Sequence, residues 1–122
     1  AGFRVTEKWV VTMGMEECLF LFPETEWEII TKKIKALPLT KKDARGFLRV
    51  LLAGASYLSC DRQGRILLPE NLSKYAKLSD RCTVIGMLNR LEIWEPGRWE
   101  KYSKGSEGKF SDLAESIGDL DL

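Results

Sequence analysis

Residues 14–28 read GMEECLFLFPETEWE and residues 86–100 read GMLNRLEIWEPGRWE, so one stretch recurs without a gap 72 positions later. Five of the fifteen positions are identical, and Phe22 and Trp94 keep apolar bulk at a corresponding position. A supersecondary unit that cannot bury its apolar face alone buries it against a second copy. The repeat therefore predicts one pseudo-symmetric body built from two related units.

The first copy follows the pattern of a β-hairpin and a helix. Residues 9–13 (WVVTM) and 18–22 (CLFLF) are β-prone runs, and the glutamate pair between them predicts a short turn. Thr25 and Glu28 have the spacing of a capping box, which predicts a helix that continues to Ala36. The face expected to be buried holds Trp27, Ile30 and Ile34.

The second copy is preceded by a strand, a tight turn and another strand, at residues 55–60, 61–64 and 65–68. Pro69 suits the first position of a short helix, because its missing N–H would be unpaired there. That helix is expected to turn inward Leu72, Tyr75 and Ala76. The second hairpin and its helix are predicted at residues 81–87, at residues 91–94 and from Pro96 onward.

These patterns predict an α+β fold in four segments. They are a first unit (1–36), a basic amphipathic connector helix (37–54), a second unit (55–102) and an acidic tail (103–122). The connector helix is expected to be capped by Thr40 or Asp43 and to stop near Gly54. In the tail, the Gly- and Ser-rich residues 103–108 predict a linker, and a short helix is expected around Leu113.

Charge is balanced over the chain but not along it. The formal net charge is +1, so no global basic field would draw the protein onto nucleic acid. Residues 31–49 hold seven Lys and Arg against one Asp, and residues 107–122 hold five acidic residues against one Lys. Such runs are usually solvated faces, and a phosphate-contacting role for residues 31–49 stays open.

Metal, membrane and secretory classes are not favoured. Cys18, Cys60 and Cys82 lie far apart without a C-x-x-C spacing, and the chain has no histidine. They are therefore predicted to be small apolar fillers in a reducing compartment, and no metal or other cofactor is expected. No apolar run approaches the roughly 20 residues that cross a bilayer. The predicted location is the cytoplasm, with neither a membrane nor a small-molecule substrate as partner.

The loop with the most chemical content reads DRQGRILLP at residues 61–69. Asp61 favours the start of a turn because its carboxylate accepts hydrogen bonds from backbone N–H groups ahead of it, and Gly64 supplies a positive φ. Arg62 at the tip and Arg65 at the exit can contact phosphates or guanine edges. The alternative is that an Asp61–Arg65 ion pair merely holds the turn together.

The combination of these features resembles the MraZ family, bacterial transcriptional regulators built from two tandem SpoVT-AbrB-type units. The resemblance runs over nearly all of the chain. It is carried by residues 61–69, the hairpin ending GMLNRLEIW at 86–94, the pair Trp99-Glu100, residues 18–23 with 26–28, and residues 113–122.

The resemblance implies a pseudo-twofold, duplicated swapped-hairpin AbrB-like β-barrel with flanking helices, and closed rings of several subunits. It also implies sequence-specific binding of double-stranded DNA, on the nucleoid, at repeated promoter sites of a bacterial division and cell-wall gene cluster. Carried over to this chain, the implied DNA contacts are Arg62, Gln63 and Arg65. The implied supports of the turn are Asp61, Gly64 and Pro69.

The family has two such loops, and this chain contains only the second. Subtracting 72 from residues 61–65 gives numbers below 1, so the first loop is expected upstream of residue 1. The first barrel half would then lack a strand, a turn and a strand.

Two other function classes compete with this interpretation. Catalysis is not expected, because a chain without histidine cannot form a Ser-His or Cys-His arrangement and has no glycine-rich phosphate loop. An AbrB-like interaction module of the antitoxin type, which binds a protein partner through the acidic tail, is the alternative.

A platform of aromatic side chains that stacks on nucleic-acid bases is disfavoured. Core packing is expected instead for Trp27, Trp94, Trp99, Phe20, Phe22 and Tyr57.

Overall fold

The computed structural model describes residues 8–118 as an α+β structure. Its strands are β1 (Lys8–Met13), β2 (Leu19–Pro23), β3 (Ser56–Ser59), β4 (Thr83–Gly86) and β5 (Leu91–Trp94). Its α-helices are α1 (Glu24–Lys35), α2 (Lys42–Gly54), α3 (Glu70–Tyr75), α4 (Pro96–Glu107) and α5 (Phe110–Ile117). The start of the predicted first unit and the last four residues of the acidic tail lie outside the described residues.

The strands form one antiparallel sheet in the order β3-β1-β2-β5-β4. The hairpin β1–β2 of the first unit therefore lies between β3 and β5, which both come from the second unit. The two units are interlaced within one sheet. The α+β class is confirmed, whereas the sheet is open over residues 8–118, with β3 and β4 at its edges. The closed swapped-hairpin barrel stays a prediction.

The two sequence copies meet where β2 pairs with β5. Phe20 lies opposite Glu92, flanked by the pairs Leu19–Ile93 and Leu21–Leu91. Shifting by 72 positions exchanges the two flanking pairs and leaves the central pair in place. The register therefore has local two-fold symmetry, and the predicted pseudo-symmetric arrangement of the hairpins is present at this contact.

The two hairpin loops differ although their sequences align without a gap. The first loop is closed by the Gly14 N–H, which donates to the Cys18 carbonyl at 2.7 Å. The second is closed by the Met87 N–H, which donates to the Arg90 carbonyl at 2.8 Å, so it encloses one residue fewer. Gly14 is required sterically, since a Cβ atom there would lie 2.7 Å from Phe20 Cδ1.

Both faces of the central strands are buried. In β2, Leu19 and Leu21 pack on the face covered by α3, while Phe20 and Phe22 pack on the face covered by α1 and α2. Burial on both faces explains why residues 18–22 are uniformly apolar instead of alternating. The aromatic prediction holds for five of its six residues, since Trp27, Trp94, Phe20 and Phe22 are buried and Trp99 packs against them.

Tyr57 is the exception, with 68% of its surface exposed. It lies on β3, an edge strand of the described sheet that pairs only with β1, opposite Val10. The cysteine prediction is also wrong at one position. Cys18 is buried and Cys60 packs against the core, but Cys82 is exposed.

Helix starts differ from the predicted caps. The capping box at Thr25 and Glu28 is absent, because β2 runs directly into α1 and Pro23 occupies the N-cap with a φ of −57°. Thr25 lies inside the first turn. At α3, Pro69 is likewise the N-cap residue instead of the first helical residue, so the helix begins at Glu70, one position later than predicted. Its carbonyl accepts from the Leu72 N–H at 3.1 Å.

The connector helix α2 begins without the expected side-chain cap. Lys41 occupies its N-cap position and makes no capping bond, so the assignment to Thr40 or Asp43 is wrong. The Arg45 guanidinium instead donates to the carbonyls of Leu39 at 2.9 Å and Thr40 at 3.1 Å, which holds the segment before the helix. The predicted end at Gly54 is confirmed.

Residues 65–68 do not form the predicted strand. Their side chains still alternate, since Ile66 and Leu68 pack against the core and Leu67 is 87% exposed. The segment is held by side-chain packing, and its first N–H, that of Arg65, bonds to the Asp61 carboxylate instead of a strand.

The predicted linker at 103–108 is also wrong, because α4 continues to Glu107. The Glu95 carboxylate caps α4 by accepting from the N–H groups of Gly97 and Arg98 at 3.0 and 2.7 Å. Trp94 then anchors the helix by ring contacts with Trp99 at 5.3 Å and with Tyr102 at 5.1 Å between centroids.

The short terminal helix is confirmed as α5. None of the described helices combines the length and apolarity that a bilayer crossing needs.

Replacing Leu19 by alanine tests whether the residues at the β2–β5 contact belong to the core that stabilises the fold. Leu19 is fully buried, so the change should lower the free energy of unfolding by about 2–5 kcal/mol in urea titrations. The matched control is Leu67→Ala, at an exposed site, which should change it by no more than about 0.5 kcal/mol. Equal losses for both variants would contradict the assignment of the core.

Candidate nucleic-acid interface

The loop at residues 61–65 is a closed turn at the end of the edge strand β3. The Asp61 N–H donates to the Arg65 carbonyl at 2.8 Å, and the Gly64 N–H donates to the Asp61 carbonyl at 3.0 Å. Gly64 has a φ of +78°, the left-handed conformation that glycine adopts without strain. The predicted turn and the predicted role of Gly64 are both present in the structure.

Asp61 organises this turn through its carboxylate. Oδ1 accepts from the backbone N–H groups of Gln63 at 2.9 Å and Arg65 at 2.8 Å, and Oδ2 accepts from Arg65 Nε at 2.9 Å. The hydrogen bond from the Arg65 N–H is the largest of the effects that hold the pKa of Asp61 below its ordinary value. The Arg65 side chain and the Gln63 N–H add to it.

The Asp61–Arg65 ion pair exists, and it does not bury the arginine. The Arg65 side chain is 72% exposed, and only its Nε atom contacts Asp61. Arg62 and Gln63 are exposed beside it. The turn-holding interpretation and the ligand-contacting interpretation are therefore compatible, because the ion pair fixes the guanidinium while leaving it accessible.

Not all of the predicted residues meet at this loop. Pro69 is the N-cap of α3 and makes no hydrogen bond within the turn. The cationic connector residues belong to α1 and α2, and Arg45 is already bonded to backbone carbonyls. The structure therefore brings together Asp61, Arg62, Gln63, Gly64 and Arg65.

Lys8 is a cation near this loop that sequence reasoning missed. It is the first residue of β1 and pairs in register with Ser59, two residues before Asp61. The exposed Lys8 thus lies at the end of the sheet from which the loop projects. In the sequence, Lys8 is only the residue before a β-prone run. Its position near the loop depends on the long-range pairing of β1 with β3.

A second missed residue, Arg98, joins the two units. Its guanidinium donates to the carbonyls of Glu16 and Glu17, each at 2.6 Å, and so holds the tip of the first hairpin against α4. Tyr75 of α3 supports the same hairpin, since its hydroxyl donates to the Gly14 carbonyl at 2.6 Å. Arg98 corresponds to Glu26 in the repeat, so it is a position where the copies differ in charge.

Other chemistry has little support in the described structure. Across residues 8–118, no three His, Cys, Asp or Glu side chains are grouped so that they could share a metal ion. Burial is the main reason that the pKa of the Cys18 thiol is raised to about 12, which disfavours the reactive thiolate.

The comparison with protein families agrees with the repeat. The family model for the MraZ protein, described as antitoxin-like, matches residues 4–50 and 51–119. The two matched segments span nearly the whole chain, so the chain belongs to the MraZ family and contains two tandem family units. The resemblance inferred from the motifs is confirmed. The family is of the regulator type and is non-enzymatic, so membership indicates a role of the transcriptional-regulator type.

Acidification should open the turn at residues 61–65. A carboxylate whose pKa is lowered by folding stabilises the turn above its unfolded pKa of about 3.9. That contribution is lost as the pH falls through the lower, folded-state pKa of Asp61. NMR spectra of the Arg65 amide recorded from pH 7 to pH 2 should show this transition.

The Asp61→Asn variant is the matched control, because it keeps one side-chain oxygen but cannot titrate. Its Arg65 amide should lack the acidic transition. A transition in the original protein at or above the ordinary aspartate pKa would contradict the hydrogen-bonded turn.

Proposed function

We propose that this chain is a sequence-specific DNA-binding transcriptional regulator that contacts double-stranded DNA with the loop at residues 61–65. The observation that carries the proposal is the exposed Arg65 guanidinium, fixed by a carboxylate at a glycine turn. A side chain already held in one geometry loses less conformational entropy on binding. Arg62, Gln63 and Arg65 are the proposed contacts, supported by Asp61 and Gly64.

The hydrogen bonds of the turn suit its two arginines to different DNA contacts. Asp61 accepts hydrogen bonds from the N–H groups of Gln63 and Arg65, so those two backbone donors are not available to an incoming anion. Arg65, held through Nε, keeps its two terminal amino groups for a bidentate contact with guanine O6 and N7. Arg62, with no partner among the described residues, suits a phosphate, and Lys8 adds positive charge nearby.

One loop is too weakly charged to bind DNA tightly alone. Its two arginines and one aspartate give a local charge of +1, which neutralises at most about two or three phosphates with help from neighbours. A ring of several subunits that presents several loops to repeated sites would multiply affinity by about 10²–10⁴. Oligomerisation is therefore part of the proposed mechanism.

Family membership is the basis for proposing where this activity takes place. We propose that the protein acts in the bacterial cytoplasm, on nucleoid DNA, at repeated promoter sites of a division and cell-wall gene cluster. The interlaced order of β3, β1, β2 and β5 supports the swapped-hairpin barrel as the body that carries the loops.

One observation favours the second candidate function, an antitoxin-type interaction module. The short helix α5 in the acidic tail leaves Phe110 71% exposed and Ile117 62% exposed. An uncovered apolar helix face suits a protein partner. A protein partner that protects α5 from proteolysis, with no shift of DNA by the chain, would favour this candidate.

Arg65→Ala should abolish the gel shift of repeated promoter DNA while leaving the oligomer mass unchanged. Losing a bidentate contact costs about 1–3 kcal/mol at each loop, and several loops act together. Arg62→Ala should weaken binding to all sequences and lower the slope of log affinity against log salt by about 0.9 for each lost phosphate contact.

Arg81→Ala removes the same charge at an exposed position just before β4 and is the control. It should bind DNA like the original protein. An unchanged gel shift for Arg65→Ala, or an equal loss for Arg81→Ala, would contradict a role for this loop.

A further inference from the structure

Helix α5 has an apolar face that its own chain leaves uncovered. Phe110, Leu113 and Ile117 have the i, i+3, i+7 spacing of one helical stripe, and they are 71%, 47% and 62% exposed. A helix of eight residues is below the length of about 12–15 that holds in water without packing. A folded α5 therefore requires an apolar surface to pack against.

A groove of that character lies between α1 and α2. It has a volume of about 290 Å³, and its apolar lining includes Phe22, Trp27, Ile34, Phe47 and Leu51. A neighbouring cavity of about 260 Å³ shares Phe47 and Leu51 with it. Phe47 is 48% exposed at the opening, so the connector helix leaves an apolar surface open to a partner.

The charges of the two surfaces are opposite. Lys33 and Arg90 line the groove, and residues 31–49, a segment that contributes Lys33, Ile34, Leu37 and Phe47 to its lining, carry six more positive than negative charges. The α5 segment, residues 107–122, carries four more negative than positive charges, including Asp112 and Glu115 on the helix itself. Attraction between these charges favours the acidic helix over other apolar segments as the occupant.

We propose that α5 of one subunit docks in the α1–α2 groove of a second copy of this chain. A second copy is indicated because this chain carries both surfaces and leaves both uncovered. Such a contact joins two different patches, so it is heterologous and extends from subunit to subunit until it closes into a ring or forms an open chain. The proposal thus rests on the oligomer of the proposed function and names the contact that builds it.

The decisive experiment is cross-linking between two full-length variants. Both carry Cys60→Ser and Cys82→Ser, and both keep the buried Cys18. One adds Phe47→Cys in the groove and the other adds Leu113→Cys on α5. After mixing and treatment with a short bis-maleimide, mass spectrometry should find the peptide of residue 47 joined to the peptide of residue 113. Leu88→Cys replaces Phe47→Cys in the control, because Leu88 is fully exposed and does not line the groove.

The expected result is a 47–113 link at least tenfold more abundant than the 88–113 link. Equal abundance, or no 47–113 link, would overturn the proposal. A third variant that carries both Phe47→Cys and Leu113→Cys reports contact within one chain. A link found only in that variant would also overturn the proposal, because α5 would then occupy its own groove.

Light scattering gives an independent readout. Leu113→Asp should reduce the mass of the assembly by at least half, and Leu67→Asp, at an exposed site away from both surfaces, should not. An unreduced mass for Leu113→Asp would overturn the proposed contact even if the protein binds DNA. Conversely, a 47–113 link together with unchanged DNA binding by Arg65→Ala would keep this contact and refute the role of the loop.

Discussion

The antiparallel pairing of β2 with β5 is the contact on which the rest of the structure depends. It joins the two sequence copies at a local two-fold centred on Phe20 and Glu92. Within the described sheet, β1 pairs with the other edge of β2 and β4 pairs with the other edge of β5. The edge strand β3 then pairs with β1. The position of the loop at residues 61–65 follows from this order.

The local symmetry is broken at its own centre. In the second copy Glu92 replaces the equivalent of Phe20, and its buried carboxylate accepts from Trp94 Nε1 at 3.0 Å and contacts Arg90 Nη2 at 3.5 Å. The Arg90 guanidinium also lies 4.4 Å from the centre of the Phe20 ring. A buried carboxylate without such partners would be costly. The same Arg90 lines the apolar groove, so the divergence of the copies places one half of an Arg90–Glu92 ion pair at its wall.

The sequence was sufficient for features that depend on local residues or on the repeat. The two hairpins, the turn at residues 61–65 and the family followed from patterns within the chain. The strand predicted at 65–68 was wrong, and Asp61 accepts the Arg65 N–H that a neighbouring strand would need. The linker predicted at 103–108 was wrong, because α4 is anchored ahead of it by Trp94 and continues to Glu107. The positions of Lys8 and Arg98 depend on strand order and helix packing, which local sequence does not encode.

Amide hydrogen exchange on the full chain tests the central pairing most directly. If the β2–β5 contact holds both units, the amides of residues 19–21 and 91–93 should exchange slowest and at one common rate, set by global unfolding. The turn at residues 61–65 should exchange faster without changing that rate. Separate exchange rates for β2 and β5, with one unit opening while the other stays protected, would contradict the account.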